Sequence, residues 1–189
     1  LDRSSAASDV YKRQGKAGAQ TVAVKSDLLT GSMLASPNLG VELKLSERFT
    51  LEAGFHYNPF PAGGDRRWKH WFVQPELRYW MCQPYGGHFF GANLMYGVYN
   101  VAKARLPFGL FKGIRSERYE GDFTGVGISY GYHFILSPRW GLETSIGVGF
   151  LHTGYERYRC SHCGERTGSG NRNLVAPTKA AISIVYMIK

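Results

Sequence analysis

The chain has 189 residues and a formal net charge of +9, and its 24 glycines and 14% aromatic residues favour strands over helices. It contains no run of 18 apolar residues, which excludes a transmembrane helix but not a transmembrane β-barrel, whose strands only alternate. The positive charge makes nucleic acid, anionic lipid or an acidic glycan the candidate partners.

The first residues differ in character from the rest of the chain. Residues 1–14, LDRSSAASDVYKRQ, have no periodic pattern and resemble a translated sequencing-adapter tail, so we predict a non-native segment. Residues 15–19 contain Ala17-x-Ala19, the small-residue pattern of a signal-peptidase site, and are interpreted as the remnant of a signal peptide. Residues 20–189 are predicted to form a single domain.

Apolar and polar residues alternate with a period of two through most of this domain. In residues 37–46, for example, Leu39 and Val41 lie on one face and Gly40 and Glu42 on the other. The pattern predicts eight strands, at about 20–29, 37–46, 49–58, 70–81, 89–100, 123–134, 140–153 and 178–188.

The predicted connections alternate between short and long. Short turns are expected at 46–48, 82–87 and 136–139, and long connections at 30–36, 59–69, 101–122 and 154–176. Tight periplasmic turns and large external loops have this arrangement in outer-membrane barrels. The predicted fold is therefore an all-β, eight-stranded antiparallel up-and-down transmembrane β-barrel located in the outer membrane.

The next question is which face meets lipid, because a soluble lipocalin-like barrel would turn its apolar face inward. The polar face carries mostly glycine, serine and a few charges, which suits a narrow interior better than a surface in water. Aromatic residues also cluster at strand ends, with Trp71 and Trp80 separated by roughly the 9–11 residues that a tilted strand needs to cross the hydrocarbon. The predicted aromatic girdle is Phe49, Trp68, Trp71, Tyr79, Trp80 and Trp140.

Pro75 lies in the middle of a predicted strand. Proline has no N–H to donate to the ladder, and a closed barrel offers no edge that would tolerate it. We therefore predict a local bulge at Pro75.

Four stretches give the chain a resemblance to a known family. Residues from about Val24 to Lys189 resemble the domain-of-unknown-function 3575 family of Bacteroidetes. The stretches are WKHWFVQPELRYWMC, LPFGLF, GVGISYGYHFILSPRWGLETSIGVGF and PTKAAISIVYMIK. The resemblance implies an outer-membrane-barrel-like fold without an assigned reaction, and genes for fimbrial assembly near some members suggest a surface-appendage role.

Charged residues on the polar face are predicted to share the lumen. They could form a proton or ion path, or paired carboxylates for acid–base chemistry. The alternative is an ion-pair plug in an interior too narrow to conduct, which we favour because the charges nearly balance. The predicted network is Glu42, Lys44, Glu52, Glu76, Arg78, Glu143 and Lys179.

Histidines raise the alternative of an enzyme. Eight-stranded barrels that modify lipid A use a histidine and a serine near the outer leaflet, and His56, His70 and His152 are predicted near the outer rim. The sequence places no serine clearly beside them, and no acid completes a triad by spacing. We therefore predict that the protein is not an enzyme, and the sequence indicates neither a cofactor nor a metal site.

Basic residues concentrate in the long connections. Nucleic acid is not an expected partner of loops that face the cell exterior, whereas arginine forms bidentate bonds with the phosphates of lipopolysaccharide or the carboxylates of an acidic glycan. The alternative is that these loops are simply hydrophilic. The predicted set is Arg66, Arg67, Lys69, Lys103, Arg105, Lys112, Arg115, Arg118, Arg157, Arg159, Arg166 and Arg172.

Cys160 and Cys163 are separated by two residues in the last long connection. A zinc site would need four ligands, and a redox pair would be expected beside a βαβ unit, which is not predicted here. Cys82 falls at a periplasmic turn, too far away to join them. In an oxidising exterior, a local disulfide is the expected outcome.

Taken together, the sequence predicts an outer-membrane barrel that works as a structural anchor or a surface-binding protein. Its partners would be outer-membrane lipid and lipopolysaccharide, and a glycan or a fimbrial component. The rival hypotheses are a lipid-A-modifying outer-membrane enzyme and a soluble lipocalin-like binding barrel.

Overall fold

The computed structural model describes residues 21–33, 36–59, 67–102, 118–158 and 165–188, with backbone only at 32–33 and 67–68. One short helix, α1, follows the first strand, and no helix of this part of the chain is long and apolar enough to cross a membrane. The elements in chain order are β1 Val22–Asp27, α1 Leu28–Met33, β2 Asn38–Lys44, β3 Phe49–Asn58, β4 Arg67–Trp80, β5 Gly87–Ala102, β6 Arg118–Ile135, β7 Trp140–Tyr158 and β8 Arg166–Met187.

The eight strands form a closed antiparallel barrel in which each strand pairs with its neighbours along the chain. β8 closes the ring by pairing with β1, from Ala23 opposite Met187 to Asp27 opposite Ser183. The predicted number of strands, their antiparallel order and the three short turns are confirmed. We call the end with the short turns the turn end and the opposite end the outer end.

The two faces of the barrel wall differ sharply in polarity. In β3, Leu51 and Phe55 are exposed on the outside, whereas Thr50 and Glu52 are buried inside. The same alternation runs through the other strands, so that large apolar side chains cover the outer surface and charged groups fill the interior. The predicted division into an outward apolar face and an inward polar face is confirmed.

The wall is taller on one side than on the other. β5 to β8 have 16, 18, 19 and 22 residues, whereas β1, β2 and β3 have 6, 7 and 10. The predicted long connection at 154–176 is therefore largely strand, and in the one at 101–122 the described residues 101–102 and 118–122 are strand, which corrects the sequence-based boundaries. The large apolar side chains on the outside of the wall form an apolar band that ends at Phe150 on β7 and at Val175 on β8. We call the part of β5–β8 beyond this band, which includes residues 152–158 and 166–174, the outer extension.

Two irregularities in strand pairing differ from expectation. The predicted bulge at Pro75 is wrong, because the pairs Val73–Tyr96 and Glu76–Asn93 on either side keep one register. Only Gln74 and Pro75 drop out of the pairing with β5, which is sufficient to accommodate a residue without an N–H. A register shift occurs instead at Gly147/Val148, opposite Thr178, where Thr178 is buried and the side chain of Lys179, 11% exposed, reaches the lumen.

Candidate functional site

Arg78 lies at the centre of the lumen and contacts four glutamates from different strands. Its Nη1 donates to Glu42 and Glu143 at 3.0 Å each, and its Nε donates to Glu76 at 2.7 Å. Its Nη2 forms an ion pair with Glu52. The guanidinium has no solvent exposure, so these bonds replace its hydration.

Two lysines complete the cluster. Lys179 Nζ lies 3.2 Å from Glu52 and 3.0 Å from Glu76. Lys25 in β1 is 3% exposed, forms an ion pair with Glu42 and donates to Glu143 at 2.7 Å. We define the lumen cluster as Lys25, Glu42, Glu52, Glu76, Arg78, Glu143 and Lys179.

Six of the seven residues predicted for the lumen thus meet in one cluster. The seventh, Lys44, lies on the same face of β2 as Glu42, is half-buried and stands nearer the turn end, opposite Thr50. Lys25 was missed because β1 is short and alternates only weakly. Its inward position could have been found from the pattern Ala23, Lys25, Asp27 against Val22, Val24, Ser26.

Polar neighbours bond to two further carboxylate oxygens of the cluster. Thr50 donates to Glu42 at 2.5 Å, and Ser129 donates to Glu76 at 3.0 Å. His133 Nδ1 lies 3.7 Å from Glu143. Four carboxylates therefore face three cations and one imidazole, which is close to charge balance and favours a plug over a pair of free catalytic acids.

Below the cluster, the lumen is closed at the turn end by aromatic and apolar side chains. Trp80 is fully buried and donates from Nε1 to Thr50 at 2.8 Å, so its assignment to an outward-facing aromatic girdle is wrong. Phe89 packs on Trp80 and lies beneath the guanidinium of Arg78, 4.4 Å from ring centre to Cζ. Tyr85, in the turn after β4, is also buried, and burial raises the pKa of its phenol.

The other girdle residues have different outcomes. Phe49 and Tyr79 are exposed and pack together at 5.3 Å on the outer surface near the turn end, and Trp140 packs on Tyr186 at 4.9 Å. Trp71 lies in the outer half of β4, where its ring meets that of Tyr96 edge-on at 5.7 Å. Trp68 is part of β4, but its side chain is outside the described structure.

Above the lumen cluster lies a cavity of about 240 Å³. Lys25 and Lys179 form part of its floor, and Gln74 and Thr178 line its wall. Asp27 also lines it, but its carboxylate accepts from the N–H groups of Leu29 and Thr30 and thereby caps α1. The charged groups of the cavity are thus engaged with the protein itself.

The structure places a serine beside one of the rim histidines, which the sequence did not indicate. Ser36 Oγ lies 3.1 Å from His70 Nε2. The Ser36 side chain is fully buried, however, so this hydroxyl has no access to a substrate. His152, on the outer surface, lies 2.5 Å from Asn173 Oδ1, and His56 stacks on Phe72 at 4.1 Å.

The predicted basic loop residues divide into two groups. Lys69, Arg118, Arg157, Arg166 and Arg172 lie in strands rather than loops, which corrects their assignment. Arg118 forms an ion pair with Glu120, and Arg166 lies 2.9 Å from Glu156. Arg67 belongs to β4 with its side chain undescribed, and the positions outside the described residues are Arg66, Lys103, Arg105, Lys112, Arg115 and Arg159.

The cysteines of the last connection cannot be placed. Cys160 and Cys163 lie outside the described residues, so their disulfide stays a prediction. Cys82 is exposed and is not part of a disulfide in the turn between β4 and β5. Within the described part of the chain, no group of three or more histidine, cysteine and acidic side chains is arranged to hold a metal ion.

A sequence comparison adds the family. Residues 9–188 match the family model described as "Protein of unknown function (DUF3575)". The chain belongs to this family. The match includes residues 9–14 of the predicted non-native segment, and that boundary stays a prediction. No curated protein and no solved structure matches the chain.

Proposed function

We propose that this protein is an outer-membrane barrel with a plugged lumen that anchors a basic surface outside the cell. The observation that carries the proposal is the inverted polarity of the wall. Ile128, Ile146 and Val175 are 67%, 68% and 73% exposed on the outside, whereas all seven groups of the lumen cluster lie inside. A barrel in water has the opposite arrangement, whereas lipid requires this one.

The height of the apolar surface also supports insertion into a bilayer. On β7 it runs from Trp140 to Phe150, which spans the roughly 9–11 residues that a tilted strand needs to cross the hydrocarbon. Beyond Phe150 the outward residues become polar, beginning with His152. The outer extension would then stand in the aqueous phase outside the membrane.

Membrane insertion is tested by fractionation and by gel mobility with and without heating. The native protein is expected in the outer-membrane fraction, and its mobility should shift on heating, because a folded barrel resists detergent until it is boiled. A protein that stays soluble without detergent and shows no mobility shift would contradict the proposal.

The surface-binding part of the proposal concerns anionic groups such as lipopolysaccharide phosphates, the carboxylates of an acidic glycan or those of an appendage subunit. Arg166 and Arg172 are exposed on the outer extension, and Arg48 and Arg139 are exposed at the turn end. The pair R166Q/R172Q should weaken binding of purified lipopolysaccharide to the detergent-solubilised protein, whereas the matched pair R48Q/R139Q should not. Equal losses of lipopolysaccharide binding in both variants would mean that the net positive charge of the protein attracts the ligand without a defined site on the outer extension.

The structure gives a lipid-A-modifying activity no specific support, since the hydroxyl of the Ser36–His70 pair is buried. We propose that the protein is not an enzyme. Lipid A from a deletion strain should therefore keep its acyl pattern by mass spectrometry, and a changed pattern would contradict this.

A further inference from the structure

β8 has a long segment that pairs on one side only. Residues 166–182 lie beside β7 but have no pairing with β1, which pairs only with residues 183–187 of β8, and within them the N–H of Ile182 donates to Asp27. α1 packs against β8 above the end of β1, and among the described residues no strand pairs with the free side of residues 166–174. This nine-residue segment, which we call the β8 edge, exposes a row of backbone N–H and C=O groups.

The chain creates this edge by ending β1 early. Asp27, the last residue of β1, accepts hydrogen bonds from the N–H groups of Leu29 and Thr30 and from that of Ile182 in β8. These bonds turn the chain into α1 just where β1 would have to continue to cover β8. The edge is therefore a consequence of the helix cap.

The position of the β8 edge is compatible with the membrane. An unpaired strand edge is not tolerated in hydrocarbon, because its backbone groups would find no partner there. The outward apolar band of β8 reaches Val175, and the edge begins directly beyond it with Leu174 and extends to Arg166. The edge lies where water, or another chain, can satisfy its backbone.

The edge has only part of the usual protection against strand addition, namely a register shift against β7 near its tip, between Arg157 and Tyr158. Residues 166–174, RTGSGNRNL, contain no proline, and the proline of β8, Pro177, lies below them. The segment carries Arg166 and Arg172 and no acidic residue. The ion pair of Arg166 with Glu156 is half-exposed, with side chains 54% and 41% accessible, so an incoming carboxylate can exchange with it.

We propose that the β8 edge binds an extended acidic segment of another protein by β-strand addition. Nine residues at roughly 3.4 Å each give a docking line of about 30 Å, on which backbone bonds supply affinity and the two arginines select acidic side chains. A second copy of this chain fits less well, because two β8 edges side by side would bring their arginines together. The inference rests on the proposed function, since it needs the outer extension outside the membrane.

The test uses the full chain in detergent micelles and three labelled nine-residue probe peptides in fluorescence anisotropy. The first alternates threonine and glutamate, the second replaces glutamate with lysine, and the third has the acidic sequence with every second amide N-methylated. The acidic peptide should bind, and the lysine and N-methylated peptides should bind at least about tenfold more weakly, because one lacks the charge and the other the backbone donors. R166E/R172E should weaken the acidic peptide about tenfold, and the matched turn-end pair R48E/R139E should not.

Hydrogen exchange supplies the structural readout. The acidic peptide should protect amides within residues 166–174 and leave those of β2 and β3 unchanged. Equal binding of the acidic and N-methylated peptides, or binding without this protection, would overturn strand addition while leaving anion binding by the outer surface intact. Sedimentation that shows a dimer with a protected β8 edge in the absence of peptide would overturn it in favour of self-association. Failure of the heat-modifiability test, by contrast, would remove the proposed function itself.

Discussion

At Arg78, a guanidinium without solvent exposure meets four carboxylates that are themselves buried. Each ion lost its hydration on folding, and the attraction between opposite charges offsets that cost only while the whole set is present. Arg78 is the one side chain of the lumen cluster that contacts all four glutamates. The stability of the interior therefore depends on this residue more than on either lysine.

Replacement of Arg78 by methionine should destabilise the barrel strongly. It leaves four buried carboxylates with two lysines, and breaking a buried ion pair typically costs about 3–5 kcal/mol. The urea midpoint of unfolding in micelles, followed by heat-modifiable mobility, would measure the loss. R139M, at an exposed turn position, is the matched control and should leave the midpoint unchanged. An unchanged midpoint for R78M would show that the cluster does not hold the barrel together.

Glycine at position 91 is required by the space that the lumen cluster occupies. A Cβ at Gly91 would lie 2.7 Å from Glu76 Cδ, whereas at Gly54 the nearest atom would be 3.7 Å away. G91A should therefore destabilise the barrel by about 1–3 kcal/mol, the usual cost of overpacking, and G54A should have little effect. The comparison of their unfolding midpoints tests the geometry, and equal midpoints would contradict it.

At the scale of elements, α1 depends on a single capping residue. Asp27 accepts from two N–H groups of the first helical turn and from Ile182 N–H in β8 at 3.1 Å. A helix of six residues has almost no stability of its own, so these bonds and its packing on β8 hold it in place.

D27A should detach α1 while leaving the barrel closed. Loss of an N-cap costs about 0.5–2 kcal/mol. This exceeds the small free energy that keeps so short a helix folded. Limited proteolysis should then cleave within residues 28–36, and the heat-modifiable shift should persist. D27N keeps one acceptor oxygen and should be cleaved more slowly than D27A. Resistance of D27A to the protease would show that α1 does not depend on this cap.

The elements also show what the sequence could predict and what it could not. β3 alternates strictly, and β4 does so around Glu76 and Arg78, so the inward positions of Glu52 and Arg78 followed from a period of two. In β8, residues 166–173 carry polar residues and glycine on both faces, so this part of the strand resembles a loop. Trp80 was misplaced because tryptophan near a strand end is typical of a girdle, while its parity with Arg78 pointed inward.

At the scale of the whole molecule, side chains close the barrel at the turn end, and the wall is of unequal height at the outer end. Trp80, Phe89 and Tyr85 fill the turn end, the lumen cluster fills the middle, and the cavity lies above them. An interior of eight strands has room for side chains and little else. The tall side, formed by β5–β8, is the part of the described barrel that reaches farthest outward.

This arrangement predicts that the protein does not conduct ions. Purified protein in planar bilayers should show no stepwise current above that of protein-free membranes, because an ion would have to displace the lumen cluster and then pass the fully buried Trp80 and Phe89. Heat-modifiable mobility of the same preparation shows that folded barrels were added. The double variant W80A/F89A opens the turn end but keeps all seven charged residues of the lumen cluster. It should also show no current if these charges block the passage of ions. Conductance in the double variant alone would show that Trp80 and Phe89 block the ions. Conductance in the native protein would contradict a plugged lumen.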